Sequence, residues 1–256
     1  MKQLISLAIR HIPRKHLQLF GHFIARSLSV FYLGKKVVCP VCLHTYRKFL
    51  PYGRIARENA LCPNCLALER HRLLWLYLKQ RTTLFSEKQR MLHIAPEYCF
   101  IQRFESIKTL DYITADIESP LAKVKMDIHQ IPFDKDSFDC VMCNHVIEHV
   151  ENDILALKEI LRVLKPGGWA IIQVPFYEPL PEFTLEDPGI TSRSQRFKMY
   201  GQEDHLRLYG KDYRQRLESC GFGVTDENFT ESLPGEIVKK HALLPETVFC
   251  CTKPPR

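Results

Sequence analysis

The chain has no run of about 20 uncharged apolar residues, so no membrane-spanning helix is expected. Its start lacks a signal-peptide pattern, because Arg10, Arg14 and Lys15 interrupt the apolar stretch early. It has no internal repeat and no low-complexity tract. The first 36 residues contain no Asp or Glu. They do contain Lys2, Arg10, Arg14, Lys15, Arg26, Lys35 and Lys36, which together equal the whole chain's formal charge of +7. Of 36 Lys and Arg, 29 remain for the rest of the chain, balanced by 29 Asp and Glu. The basic character therefore belongs to an arm. With 256 residues, 45% of them hydrophobic, the chain is long enough for one large globular domain and a small one.

Residues 1–36 are predicted as a basic helical arm, broken at Pro13. In its second half Lys15, Gln18, His22, Arg26 and Ser29 fall on one stripe, and Leu17, Phe20, Ile24, Leu28 and Phe31 on another. Such a stripe first implies packing on the protein's own body. A second use is peripheral contact with an anionic membrane, and a third is a nucleic-acid arm. The expected location is the cytoplasm, with the arm able to hold the protein at the inner membrane face.

Residues 37–81 are predicted as a cysteine module followed by a connecting helix over 66–81. Ten cysteines with no secretory pattern point to reduced thiols and metal rather than disulfides. Cys39-Pro-Val-Cys42 and Cys62-Pro-Asn-Cys65 are two C-x-x-C knuckles separated by 19 residues. That is the spacing of a zinc ribbon, in which four thiolates close a structural tetrahedral site. Arg54, Arg57, Arg70, His71 and Arg72 lie in or beside the module. They either face solvent and pair with Glu58 and Glu69, or hold nucleic acid.

Residues 82–256 read as an α/β domain. Phe138–Cys143 is a short apolar run ending in Asn144-His145. Ile154, Leu157, Leu161 and Leu164 then recur at helical spacing until Pro166-Gly167-Gly168, and Trp169–Val174 is a second buried-strand run. Strands alternating with helices predict a parallel sheet covered by helices, with ligands at the carboxyl ends of the strands.

The segments IPFDKDSFDCV, IEHV and RVLKPGG also stand in an order that resembles the S-adenosylmethionine-dependent methyltransferases of the Rossmann-like class, type 11 subgroup, over roughly residues 90–253. The resemblance implies a seven-stranded Rossmann-like sheet with helices on both faces, joined here to the small zinc-binding module and the helical arm. It also implies S-adenosylmethionine as cofactor. In that family the first strand ends in an acidic residue and a glycine-rich turn. Here the stretch is His93-Ile94-Ala95-Pro96-Glu97, which has no glycine. His93 stands in the acid's place, Ala95 is small enough for part of the close approach, and Glu97 is the candidate acid for the cofactor's amino group. Asp116, 19 positions after Glu97, is placed for the ribose hydroxyls, the alternative being a helix-capping Asp. Ile117 is grouped with it. By resemblance Asp127 accepts from the adenine amino group and the Ile128 backbone reads the ring. Asn144 and His145 close the fourth strand beside the methyl group, with Glu148 and His149 one turn on. Asp139 reads as structural.

Residues 176–205 are rich in Pro, Gly, Phe and Tyr, a long loop of the kind that is usually functional; the resemblance implies that it forms a lid over the acceptor. His145 and His205 are the candidate catalytic bases, the alternative for His205 being a core or capping histidine. No NPPY-like tetrad follows the fourth strand, so methylation of a base amino group is not indicated. The first expectation is transfer to a small-molecule, sugar or lipid-linked glycan acceptor. One alternative is an RNA methyltransferase using the zinc module and the arm. Another is a non-catalytic scaffold with a degenerate cofactor site.

Overall fold

The computed structural model describes residues 27, 29–53 and 55–255, so most of the predicted arm lies outside the described residues. The chain divides into two units. The first comprises Met1–Phe85, Glu97–Ser106 and Asn228–Glu246, and the second Ser86–Pro96, Ile107–Glu227 and Thr247–Arg256. Among the described residues no helix is long and apolar enough to cross a membrane.

The first unit begins with a 3-10 turn, Ser29–Tyr32. Strands β1 (Leu33–Val38) and β2 (Thr45–Tyr46) pair antiparallel, as do β3 (Leu50–Tyr52) and β4 (Arg57–Leu61). Residues 33–36, read as arm from their charge, thus belong to β1. Helix α1 (Glu69–Arg81) starts three residues later than the periodicity predicts. Leu66 is taken up by the second knuckle, where it has φ +61° and donates its N–H to the Cys62 carbonyl. Helix α2 (Tyr98–Glu105) meets α1 through aromatic rings: Trp75 lies 5.9 Å from Phe100 and 5.6 Å from Phe104. A helix at Gly235–His241 completes the unit.

These short elements leave many backbone carbonyls without strand or helix partners, and Arg72 gathers five of them. Its Nε donates to the His241 carbonyl at 2.7 Å. Its Nη1 donates to Ala60 and Ala67, and its Nη2 to Asn59 and Ala242, at 2.7–3.0 Å. The guanidinium is wholly buried and lies 4.3 Å above the Phe49 ring. Five fixed donors on a planar group suit this task, which no other side chain can perform.

The second unit holds a seven-stranded mixed sheet with helices. Its strands are β5 (Gln89–Ile94), β6 (Leu110–Asp116), β7 (Val124–Lys125), β8 (Phe138–Asn144), β9 (Leu164–Gln173), β12 (Gly223–Glu227) and β13 (Val248–Thr252). The order is β12-β13-β9-β8-β5-β6-β7. The five strands from β9 to β7 run parallel, while β13 is antiparallel to β9 and β12 to β13. The order reverses at β5, which pairs with β6 on one side and β8 on the other. That reversal opens a crevice beyond the carboxyl ends of β5 and β8. The core is built from Leu92, Ile94, Val141, Leu157, Ile172 and their neighbours.

The sequence motifs lock this sheet. Asp139 accepts the Arg90 N–H at 2.7 Å and the Lys165 ammonium at 2.7 Å, tying β5, β8 and β9 together, a structural role as expected. Helix α3 (Asp153–Val163) is capped by Asn152, whose side chain accepts from Leu155 N–H. Arg162 and Glu159 on α3 clamp the Ile131–Phe133 segment through the Ile131 and Phe133 carbonyls and the Ile131 N–H. The helix ends earlier than Pro166 requires, and β9 begins at once at Leu164. Gly167 takes φ +76°, and a Cβ on Gly168 would meet two carbonyl oxygens at 2.9 Å. Helices α4 (Arg193–Tyr200) and α5 (Tyr213–Ser219) follow, with a small ladder of β10 (Leu185–Glu186) and β11 (Arg207–Leu208).

Replacing Arg72 with Met strands five buried carbonyls, and unfolding in denaturant should show a loss of about 4 kcal/mol, a magnitude typical of removing one partner from a buried charged network. A loss below about 1 kcal/mol, within the range of an ordinary surface substitution, would show that the carbonyls find other donors.

Candidate functional site

The crevice is lined by the ends of β5, β6 and β8. After β5 the chain turns at Ala95, which has φ +51°, and its N–H bonds the Ala115 carbonyl at 2.9 Å. This left-handed turn is the geometry that a glycine normally supplies, adopted here by the smallest side chain, at a cost of about 1 kcal/mol. His93 is wholly buried within β5, and its Nδ1 lies 2.7 Å from the Tyr112 hydroxyl. No part of it reaches solvent, so its visible contact is inside the sheet. Glu97 caps α2 in the first unit, where its carboxylate lies 4.0 Å from His71 Nε2.

Asp116 ends β6. Its Oδ1 accepts the N–H groups of Glu118 at 2.7 Å and Ser119 at 2.6 Å, so it caps a bend rather than a helix. Oδ2 takes no part in either bond. Ile117 beside it is exposed, an apolar side chain next to a carboxylate. Asp127 accepts from the His129 backbone and ring, and these bonds hold its carboxyl below the usual range. His129 Nε2 in turn accepts the Asn152 N–H at 3.2 Å, joining this loop to the start of α3. Ile128 is buried between Asp127 and His129.

At the end of β8, Asn144 is buried and His145 turns with φ +54°, its N–H on the Gln173 carbonyl. His145 Nδ1 lies 3.5 Å from Glu148 Oε1, and His149 Nε2 lies 3.9 Å from the same oxygen. His205, distant in sequence, stacks edge-on to His149 with centroids 4.8 Å apart. Burial lowers the His205 pKa, which favours the neutral ring. His145 and His149 are therefore both drawn to one carboxylate, Glu148.

This loop is clamped by a second buried guanidinium. Arg207 Nη1 donates to the Ile147 and Val150 carbonyls at 2.7 Å, and Nη2 to Glu151 at 3.0 Å. Leu206 N–H bonds the Glu148 carbonyl, so His205 is placed beside Glu148 by backbone alone. Asp153 accepts Arg216 at 2.6 and 2.7 Å and the Tyr209 hydroxyl at 2.8 Å, while Glu186 bonds both arginines. The sequence points to His145 and His149 from their place after a strand, and to His205 from the acceptor-side segment that follows Pro175. It does not single out Arg207, Asp153 and Arg216, whose only signal is being charged.

In the first unit, Cys39 Sγ lies 3.6 Å from Cys65 Sγ, and Cys42 Sγ lies 3.7 Å from Cys62 Sγ. These separations exclude disulfides, whose sulfurs lie about 2.05 Å apart. The two knuckles repeat one backbone pattern: Leu43 and Leu66 donate to Cys39 and Cys62, and the N–H groups of those cysteines bond His44 and Ala67 carbonyls. Four buried thiols thus face a common centre. Of the basic residues nearby, Arg57 pairs with Glu69 and Lys48 with Glu58.

Residues 101–172 match the family model described as a methyltransferase domain. Two curated relatives align with parts of the chain. An uncharacterized 37.1 kDa protein in transposon TN4556 of Streptomyces fradiae is 37% identical over 107 residues, 41% of this chain and 30% of that protein. A demethylmenaquinone methyltransferase of Staphylococcus carnosus is 35% identical over 65 residues, 25% of this chain and 27% of that protein. The chain thus spans about a third or less of the length of these relatives. A crystal structure of the 4+2 cyclase SpnF aligns with a TM-score of 0.51 at 13% identity, covering 74% of this chain and 84% of that one. That likeness shows the fold alone.

Burial alone would raise Asp153, but Arg216, Arg207 and Tyr209 outweigh it and hold the carboxyl below its usual range. A depressed carboxylate stabilises the fold above its unfolded pKa of about 4, and the contribution is lost as pH falls through the folded value. Acid unfolding followed by fluorescence should therefore begin at higher pH in Arg216→Met than in the parent. An unshifted acid transition would remove the network from the account.

Proposed function

We propose that the chain is an S-adenosylmethionine-dependent methyltransferase acting on a hydroxyl of a small-molecule, sugar or lipid-linked glycan acceptor. The observation that carries this is the left-handed turn at Ala95. It gives the end of β5 the backbone course of a glycine loop, and with it the close approach a nucleotide cofactor needs. The methyltransferase-domain match supports it from the sequence side. Asp116 would take the ribose hydroxyls through Oδ2, Ile117 would cover the adenine, and Asp127 with the Ile128 backbone would meet its edge. The cofactor supplies an electrophilic methyl group; the chain must align the acceptor and remove its proton. His145 is suited to the latter, standing partly exposed after β8. The basic residues of the arm would bring the site to an anionic membrane surface, where a lipid-linked acceptor resides.

The four cysteines suit zinc. Bonds of about 2.3 Å in a tetrahedron set sulfurs about 3.8 Å apart, close to the separations found. Cys39, Cys42, Cys62 and Cys65 would complete a closed, structural site that leaves no position for substrate. An RNA acceptor would need free cations on this module, whereas Arg72 is consumed by carbonyls and Arg57 by Glu69.

Calorimetric titration of S-adenosylmethionine and S-adenosylhomocysteine should give micromolar binding, weakened at least tenfold by Asp116→Ala. Absence of binding by folded protein would leave the domain without its cofactor and reject the function. Elemental analysis should find one zinc per chain, and Cys62→Ser should lose it along with the near-ultraviolet signal of Trp75. A metal-free parent with that signal intact would reject the zinc site.

A further inference from the structure

A second cluster, in the second unit, carries metal-ligand chemistry of a different kind. Glu148, His149 and His205 each bring one potential ligand atom, a carboxylate oxygen or a ring nitrogen, within 4.8 Å of the others. Glu148 and His205 are each 1% exposed. Neither Glu148 Oε2 nor His205 Nε2 has a hydrogen-bond partner among the described residues. A buried polar atom in that condition costs free energy that a ligand can recover.

The tautomers sharpen this. His205 Nδ1 lies 3.1 Å from the Tyr200 carbonyl, which can only accept, so that nitrogen carries the proton. His149 Nδ1 lies 3.2 Å from the Asp204 carbonyl and 3.6 Å from its carboxylate, with the same consequence. His149 then has Nε2 turned to the cluster, 3.9 Å from Glu148 Oε1, and Nε2 is the nitrogen of His205 left without a bond. Imidazoles oriented through Nδ1 by carbonyls and a carboxylate are also the usual outer shell of a metal site. The Arg207 clamp fixes the loop bearing two of these ligands, and the Leu206 bond fixes the third.

We infer that Glu148, His149 and His205 bind a divalent first-row transition ion. Two imidazoles and one carboxylate favour Mn2+, Fe2+, Co2+ or Zn2+ over Mg2+ and Ca2+, which prefer oxygen. The ligand atoms must draw in slightly, since bonds of about 2.1 Å set tetrahedral ligands about 3.4 Å apart. Unlike the four-sulfur cluster, three protein ligands leave coordination positions open. His149 is the part-exposed member and marks the side from which a further ligand enters. The chemistry that fits those positions is an acceptor hydroxyl, or a pair of them. This role rests on the methyltransferase reading; the ion's binding does not. The bound hydroxyl would lose its proton to His145 more readily. Its oxygen would then bond the methyl carbon while the carbon–sulfur pair returns to sulfur, giving an ether and S-adenosylhomocysteine.

The test is Mn2+ titration into full-length protein prepared with one zinc per chain, reading the electron paramagnetic resonance signal of the free ion. One bound Mn2+ per chain is expected, weakened at least tenfold in His149→Ala and in Glu148→Gln. Zinc content and near-ultraviolet circular dichroism check the fold, and His149→Ala, altered at a part-exposed position, is the variant least prone to misfolding. No uptake by folded protein, or uptake unchanged in His149→Ala, overturns the site. Calorimetry with S-adenosylmethionine on the same samples keeps the two ideas apart. Mn2+ bound without cofactor binding supports the site and rejects only its part in methyl transfer.

Discussion

Backbone carbonyls that no strand or helix can satisfy are the constraint on which this protein's irregular parts depend, and guanidinium groups meet it. Arg72 gathers five carbonyls in the first unit, and Arg207 gathers three around the loop bearing Glu148. Arg162 holds the Ile131 and Phe133 carbonyls beside the sheet. A buried loop without such donors would lose about 1–3 kcal/mol for each orphaned group. Lysine serves fewer from a single point: Lys253 Nζ donates to the Arg162 and Leu164 carbonyls and to Asp136.

The regular parts were legible in the sequence because they follow periodicity. The run from Phe138, the helix near Ile154 and the strand through Trp169 all lie within a residue or a few of where the apolar pattern put them. The motif residues were legible too, and the structure gives their reasons: Asp139 and Lys165 tie three strands, Arg162 clamps the IPF segment, and Gly168 allows two carbonyls to approach. Distance in sequence hid the rest. Nothing local announces that His205 meets His149, or that Arg207 serves a loop some 60 residues earlier. The missing glycine after β5 is a related case. Residue identity suggested a damaged loop, whereas the left-handed Ala95 keeps the turn.

The two units contain contrasting arrangements of metal-type ligands. The cysteines come from two matched knuckles, each built by the same backbone bonds and close enough in sequence to be recognised as a pair. The histidines and Glu148 come from a strand end and a remote segment, held by neighbours that are ordinary in isolation. The first arrangement is a property of spacing. The second exists only in the fold.

The Arg207 clamp also bears on the order in which the protein is made. Synthesis runs from the amino terminus, so the segment at 147–151 emerges from the ribosome well before the guanidinium that satisfies it, a separation of 60 residues for the Ile147 bond. The parallel strands β5, β6 and β8 can pair in that interval, but the loop beyond β8 still has bare carbonyls. Contacts across so long a loop form late, since the closure entropy must be met before they are gained. A nascent chain stalled before residue 207 would lack β12, β13 and two of the carbonyls that Arg72 gathers, so the loop beyond β8, the sheet edge and the first unit all wait on the last part of the chain.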